Sequence, residues 1–242
     1  GHPLAAGYNK GDVLDLCSDP AGLIVPHQPT VDIIPIAALA SDPSFMLVYG
    51  VEAGTVNTLG LITKNRAAMV AIHEFGYPYL TDAAWAFYKA AIEWILEGSG
   101  SSGGEKCMFI ASTDPLTAGD QIVFDKFVEW GYDVTAVLSS DLAFFTEADY
   151  ADYDFLFTSE SVGSGSLEPL KEIPKPIMCS EGWASKPTAL AWSDPPSADN
   201  YVPEPVVIVD DTGHPLAAGY NNGDVLDLCS DPAGLIVPHQ PT

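Results

Sequence analysis

Three acidic residues each follow an apolar run that is typical of a strand. They are Asp114, Glu160 and Glu181. The sheet of an α/β protein binds its ligands at this end of its strands. Because the carboxyl ends of parallel strands meet at one edge of a sheet, these carboxylates can converge on one cleft. Paired carboxylates act as general acid and base, or hold a cation such as Ca²⁺. Loops of an acidic protein also contain acids without a role, so ligand binding and a plain loop position both stay open.

A second possible site pairs Cys179 as nucleophile with His73 as base. Both residues lie at the ends of predicted strands, where a buried cysteine and a hydrogen-bonded histidine are the ordinary interpretation. The spacing of Cys and His residues does not indicate zinc. We therefore predict no catalytic residue and no cofactor, with Ca²⁺ as the one possible ion.

The elements that would position these residues alternate between strand and helix from Lys106 onward. A helix is predicted over Thr117–Trp130, with Gly131 at its end. Such alternation is typical of a parallel sheet with right-handed crossovers, and hence of an α/β fold. The four predicted strands are Cys107–Ser112, Asp133–Ser139, Tyr153–Thr158 and Pro176–Ser180.

The segment before the Gly- and Ser-rich stretch contains the clearest helix, Thr81–Glu97, whose apolar residues recur every three to four positions. A stripe of this kind indicates a core-facing helix rather than a cofactor site. Apolar, β-branched runs predict further strands, and a Pro- and Ser-rich stretch from Trp183 to Pro205 predicts a surface loop. These further strands are Val31–Leu39, Phe45–Val51, Ala67–Phe75 and Val206–Asp210.

One stretch of thirty residues occurs twice in the chain. Gly1–Thr30 and Gly213–Thr242 align without a gap at an offset of 212, and only Lys10 against Asn222 differs. The period has the size of a whole domain, so the repeat predicts an array of domains rather than a thin solenoid. A laboratory circular permutation is the rival explanation, although a copied segment has no reason to differ at one position.

The Gly- and Ser-rich residues 98–105 form the predicted linker between units. We expect residues 1–97 to be the C-terminal part of one α/β unit and residues 106–242 to be the N-terminal part of the next. Both ends would then fall inside a unit, as in a window of a longer tandem-repeat chain. In the alternative arrangement the two segments close on each other within one chain, and the two copies compete for one place.

Charge and cysteine content limit the partners and the compartment. The chain has 33 acidic and 9 basic residues and a net charge of −24, which opposes binding to nucleic acid or to anionic membranes. Scarce Lys with abundant Asp, Ser, Thr and Gly indicates an extracellular or high-salt protein rather than a cytosolic one, and we expect an extracellular or cell-surface location. No apolar run reaches the ~18–20 residues of a transmembrane helix. Cys107 and Cys179 are predicted not to form a disulfide, because they lie at opposite ends of their parallel strands. The pairing of Cys17 and Cys229 stays open.

Two stretches resemble the trehalose-utilisation-type (ThuA-like) domains of the class I glutamine amidotransferase-like superfamily. One is the opening CMFIASTDPLTAGDQIVFDKFVEWGYDVTAVLSS, and the other is the closing helix LTDAAWAFYKAAIEWILEG. The resemblance implies a flavodoxin-like three-layer domain. Active amidotransferases of that superfamily carry a Gly-x-Cys-x-Gly elbow and a His-x-Glu pair. Here Cys179 lacks the preceding Gly and His73 is followed directly by Glu74, so the resemblance carries over no catalytic residue.

Together these features favour a structural protein. We expect a repeat unit of a secreted or cell-surface polymer, such as a fibre, sheath or surface layer, whose partners are neighbouring copies of itself. The near-identity of the two copies supports this expectation, because duplicated catalytic domains are free to diverge. The alternative is a secreted carbohydrate-related enzyme or carbohydrate-binding protein with duplicated domains.

Overall fold

A computed structural model describes residues 14–15, 23–26, 31–97, 104–194, 198–201 and 205–227 of the chain. Two α-helices lie in these residues, α1 over Asp82–Leu96 and α2 over Ala118–Glu129. Short 3-10 helices connect the remaining elements. The strands are β1 Leu14–Asp15, β2 Leu23–Pro26, β3 Ile34–Leu39, β4 Met46–Val51, β5 Ala67–Val70, β6 Lys106–Ala111, β7 Asp133–Leu138, β8 Phe155–Thr158, β9 Ile177–Cys179, β10 Ala198–Tyr201, β11 Pro205–Ile208 and β12 Val225–Asp227.

Within the described residues ten strands form one mixed sheet in the order β1-β12-β11-β3-β4-β5-β9-β8-β6-β7. The five strands from β5 to β7 in this order are mutually parallel. The strands from β12 to β5 pair in antiparallel fashion, while β2 and β10 form a separate antiparallel ribbon. The predicted α/β class is confirmed. Its parallel half contains the four strands that the sequence indicated, and the hairpin strands β3 and β4 extend it into a mixed sheet.

The two segments on either side of the predicted linker share this sheet. Strand β5 pairs with β9, and β3 pairs with β11, so each segment supplies a neighbour to the other. Residues 31–97 and 104–227 thus close on each other within one chain, which is the alternative arrangement described above. The assignment of 1–97 and 106–242 to successive repeat units stays a prediction, because one chain cannot show which contacts an array would exchange.

The core consists of two apolar layers, one on each face of the sheet, because strand side chains alternate between faces. On β6, Cys107 and Phe109 lie in the layer beneath α1 and α2. Met108 and Ile110 lie in the opposite layer. That layer is covered by 3-10 helices rather than by α-helices, and the architecture therefore has three layers. The 3-10 helices over that layer are Ser139–Phe144, Glu147–Tyr150, Ser164–Glu172 and Gly182–Ser185, whereas Glu74–Tyr79 and Pro215–Ala217 pack into the layer beneath the α-helices.

Both α-helices begin and end close to the predicted positions. The Thr117 hydroxyl accepts a hydrogen bond from the Asp120 amide at 3.0 Å, which caps the first turn of α2. Gly131 follows α2 with a φ of +94°, a conformation that favours glycine at a helix end. Thr81 occupies the N-cap position of α1 but makes no side-chain capping bond.

Two predicted segments differ from the structure. The strand expected over Ala67–Phe75 ends at Val70. The Ala71 amide still donates to the Leu47 carbonyl oxygen of β4, but further on the Glu74 amide donates to the Glu160 side chain and the Phe75 amide donates to His73 Nδ1. The loop expected over Trp183–Pro205 contains strand β10. Apolar composition alone cannot show where a buried strand gives way to a turn that is held by distant side chains.

The predicted absence of a Cys107–Cys179 disulfide is confirmed, since both are free and buried thiols. Strand β8 lies between their strands, and the two side chains belong to opposite core layers. Cys17, Cys229 and most of the predicted linker lie outside the described residues. In the described parts of the chain, no helix is long and apolar enough to cross a membrane.

Candidate functional site

Two of the three predicted site residues lie close together at the carboxyl edge of the parallel strands. Glu160 comes two residues after β8, and Glu181 comes two residues after β9. Only 9% of the Glu160 side chain and 3% of Glu181 are exposed. Asp114 is exposed beyond β6, and within the described residues no hydrogen bond joins it to either glutamate. The structure therefore brings Glu160 and Glu181 together and leaves Asp114 apart.

Two further acids join them, and we call Glu74, Asp120, Glu160 and Glu181 the acidic cluster. Glu74 lies in the 3-10 helix that follows β5, whose carboxyl end meets the same sheet edge. Asp120 lies in the first turn of α2 and is fully buried. The Ser159 hydroxyl donates a short hydrogen bond to Asp120 Oδ1. Asp120 Oδ2 has no protein partner among the described residues, so half of a buried carboxyl is left for another donor.

A network of hydrogen bonds fixes the centre of the cluster. The Glu74 amide donates to Glu160 Oε2 at 2.8 Å, and the Glu160 amide donates to the Tyr77 hydroxyl at 3.1 Å. The Tyr77 hydroxyl also lies 3.4 Å from Ser159 Oγ. These bonds join the 3-10 helix Glu74–Tyr79 to the loop after β8. Gly119 allows the close approach of α2, because a Cβ there would lie 2.7 Å from the Glu74 carbonyl oxygen.

Burial sets the protonation of Glu160. The pKa of Glu160 is raised to about 8, mainly by burial; the hydrogen bond from the Glu74 amide opposes the shift, and the charges of Glu74 and Asp120 contribute to it. Glu160 therefore holds a proton near neutral pH.

His73 is neutral in the same range. Burial lowers the pKa of His73. Its Nδ1 accepts from the Phe75 amide at 3.2 Å, which needs an unprotonated nitrogen. The 3.6 Å contact between His73 Nδ1 and Glu160 Oε2 is then not an ion pair at neutral pH.

Glu181 is protonated for the same reason. Burial raises the pKa of Glu181 to about 9, and the neighbouring charge of Glu160 acts in the same direction. Lys186 and hydrogen bonds from Trp183 and Ser164 oppose the shift without cancelling it. Burial also raises the pKa of Glu74, as does the charge of Asp120. Within the cluster, Glu160 and Glu181 are thus coupled carboxyl groups that favour their neutral forms.

Such a set can transfer protons, since a buried glutamic acid that is neutral at pH 7 can serve as a general acid. It is less suited to a cation, because protonated carboxyls are poor ligands. Among the described residues no group of three or more His, Cys, Asp and Glu side chains could hold a metal ion. The possible Ca²⁺ ion at this edge stays a prediction.

Cys179 does not have the environment of a nucleophile. It is fully buried, and burial raises the pKa of its thiol to about 12. The Thr158 hydroxyl donates to Cys179 Sγ at 2.9 Å, and the thiol lies 3.4 Å from the Glu181 carbonyl oxygen. A catalytic cysteine needs a lowered pKa and access to substrate, and Cys179 has neither.

The sequence did not point to Glu74 or Asp120 as members of the site. Asp120 was recognisable only as an acid in the first turn of α2, a position that usually reflects the helix dipole. Glu74 was predicted to lie within a strand. Recognising β5 as a fifth parallel strand would have placed Glu74 at the same edge as Glu160.

The chain matches no family model, no curated protein and no solved structure. The fold and the geometry of the described residues therefore carry the functional argument.

Proposed function

We propose that this chain is a structural repeat unit of a secreted or cell-surface polymer built from tandem, non-catalytic α/β domains. The duplicated thirty residues are the observation that carries the proposal. The part of the second copy that the structure describes contributes to the core, since Leu216 and Leu226 are fully buried. A duplicated piece of core cannot fold as an extra domain, so the duplication is best explained by a period that covers whole domains.

The sheet is compatible with the proposed family resemblance. Strands β7, β6, β8 and β9 are adjacent in that order, which is the second-first-third-fourth order of flavodoxin-like sheets. The resemblance to ThuA-like domains remains part of the proposal. The environment of Cys179 supports the proposal that the domain is not catalytic. This cysteine lies nearest to the position expected for the amidotransferase nucleophile, and it is a buried, protonated thiol.

The proposed partners are neighbouring copies of the same unit. The net charge of the whole chain is −24, so neighbouring copies repel one another over a Debye length of about 8–10 Å at moderate salt. Close packing then requires salt, divalent ions, or contacts in which carboxyls are hydrogen-bonded. A polymer of these units should consequently depend on ionic strength.

Treatment of native assemblies with chelator at low ionic strength tests this dependence. We expect the assemblies to loosen or dissociate, as judged by light scattering and electron microscopy, and to recover when divalent ions or salt are restored. Assemblies that stay unchanged would remove the electrostatic part of the proposal.

A carbohydrate-related enzyme is the second candidate, and the acidic cluster is the observation that favours it. Glu160 and Glu181 are neutral acids at the sheet edge where α/β proteins bind ligands. Hydrolysis assays with oligosaccharides would test this function. Activity that is lost on Glu181→Gln, and kept in an exposed control such as Glu172→Gln, would favour the enzyme over the structural unit.

A further inference from the structure

The second copy of the repeated segment packs against the sheet and α1. Leu216 is fully buried and rests on Gly50 of β4, where an added Cβ would lie 2.7 Å from Leu216 Cδ1. The Trp94 ring of α1 closes the same contact, at 2.8 Å from that Cβ position. We call this surface, made by α1, β4 and β11, the docking surface.

Further contacts hold the segment along its length. The His214 ring packs edge-on against Trp94 with centroids 5.3 Å apart, and Tyr220 packs on Phe87 at 5.4 Å. The His214 amide donates to Asp210 Oδ2 at 2.7 Å. Asp210 lies outside the repeated thirty residues. At the far end, β12 pairs with β11.

The first copy carries the same contact residues. Leu4 corresponds to Leu216, Tyr8 to Tyr220 and Leu14 to Leu226 at the offset of 212. The one difference, Lys10 against Asn222, falls on a position that is exposed in the second copy. The buried contacts therefore do not distinguish the two copies.

Two residues of the first copy, Leu14 and Asp15, lie beside the strand that occupies the docking surface. Leu14 and Asp15 form β1, which pairs in register with the corresponding residues Leu226 and Asp227, one strand away from β11. With the first copy in the place of β12, residues 16–33 would run from that strand to β3. The two strands would be parallel and about 10 Å apart, and a crossover of this kind needs a dozen or more residues. Eighteen residues extend to roughly 60 Å, which is sufficient.

We propose that the docking surface binds either copy of the repeated segment, so that Gly1–Asp15 is a second occupant of the place held by Gly213–Asp227. The exchange takes place within one chain and does not require the polymer. It goes beyond the proposed function because it predicts two folded forms of one chain. Both forms have the same contacts at the docking surface, but a different copy of the repeated segment makes them.

Point variants of the full chain test the exchange through stability. In Leu216→Asp the second copy loses its buried anchor and the first copy takes its place, so the urea midpoint should shift by less than about 0.3 M. Leu4→Asp should behave alike. The double variant has no intact copy and should lose roughly 1 M or more. A loss in Leu216→Asp as large as that of the double variant would overturn the proposal.

Disulfide trapping tests the position of the first copy directly, whatever the stability. Val207 faces Val225 across β11 and β12, and the residue corresponding to Val225 is Val13. The control chain carries Val207→Cys and Val225→Cys and should form that disulfide under oxidation. With Val207→Cys, Val13→Cys and Leu216→Asp, peptide mapping should find positions 207 and 13 joined within one monomer. A control that cross-links, while positions 207 and 13 do not, would refute the exchange.

Discussion

The protonated glutamates predict an unusual dependence of stability on pH. The pKa of Glu160 is about 8 in the folded chain because the side chain is buried, against an ordinary value of 4.5. The folded state then binds more protons than the unfolded state between these two values. The resulting stability is fully present below pH 4.5 and is lost as the pH rises towards 8, which is opposite to the usual behaviour of carboxylates.

The magnitude follows from the difference of about 3.5 pKa units at 1.36 kcal/mol each. Glu160 alone contributes up to about 5 kcal/mol over the whole range, and roughly 3 kcal/mol of it between pH 5 and pH 8. Glu181, with a pKa raised to about 9 by burial, adds a loss of the same sign. This is a large share of the stability of a typical domain.

Urea unfolding followed by tryptophan fluorescence at pH 5, 6, 7 and 8 measures this effect. The free energy of unfolding should fall across the series in the wild-type chain. Glu160→Gln keeps a neutral group and an acceptor for the Glu74 amide, so its profile should be flatter by roughly 3 kcal/mol. The exposed Glu172→Gln should follow the wild type. A wild-type free energy that is level or rising from pH 5 to pH 8 would refute the assignment of neutral, buried acids.

Two further predictions concern the packing around the cluster and the docking surface. Gly50→Ala should destabilise the chain by about 1–3 kcal/mol in urea unfolding, because its Cβ would lie 2.7 Å from Leu216 Cδ1. Gly163→Ala, with no atom within 4 Å of the new Cβ, should be nearly neutral in the same assay. Ser159→Ala removes the donor to the buried Asp120 carboxyl and should cost about 1–3 kcal/mol by urea unfolding, whereas the exposed Ser112→Ala should cost little.

The sequence predicted the parallel strands and the two α-helices well, for physical reasons that individual residues show. Strand β6 is recognisable from its continuous apolar run, because both of its faces are buried. The end of β5 was not predictable, since the apolar Ala71 and Ile72 continue the strand pattern, while the Glu74 amide bonds to Glu160, which is distant in sequence.

The candidate site was predictable in part. Glu160 and Glu181 follow from the rule that strand ends converge. Asp120 and Glu74 depend on how α2 and the 3-10 helix Glu74–Tyr79 pack, which local sequence does not encode. The closure of β3 on β11 was also beyond the sequence, because the repeat allows the same pairing within a chain or between units.

Electron microscopy of native assemblies tests the proposed function most directly. A domain of one 212-residue period has a diameter of about 40–45 Å. We predict fibres or a surface layer in which globular units repeat at this spacing. Dispersed single particles that never assemble, together with hydrolytic activity that depends on Glu181, would contradict the structural proposal.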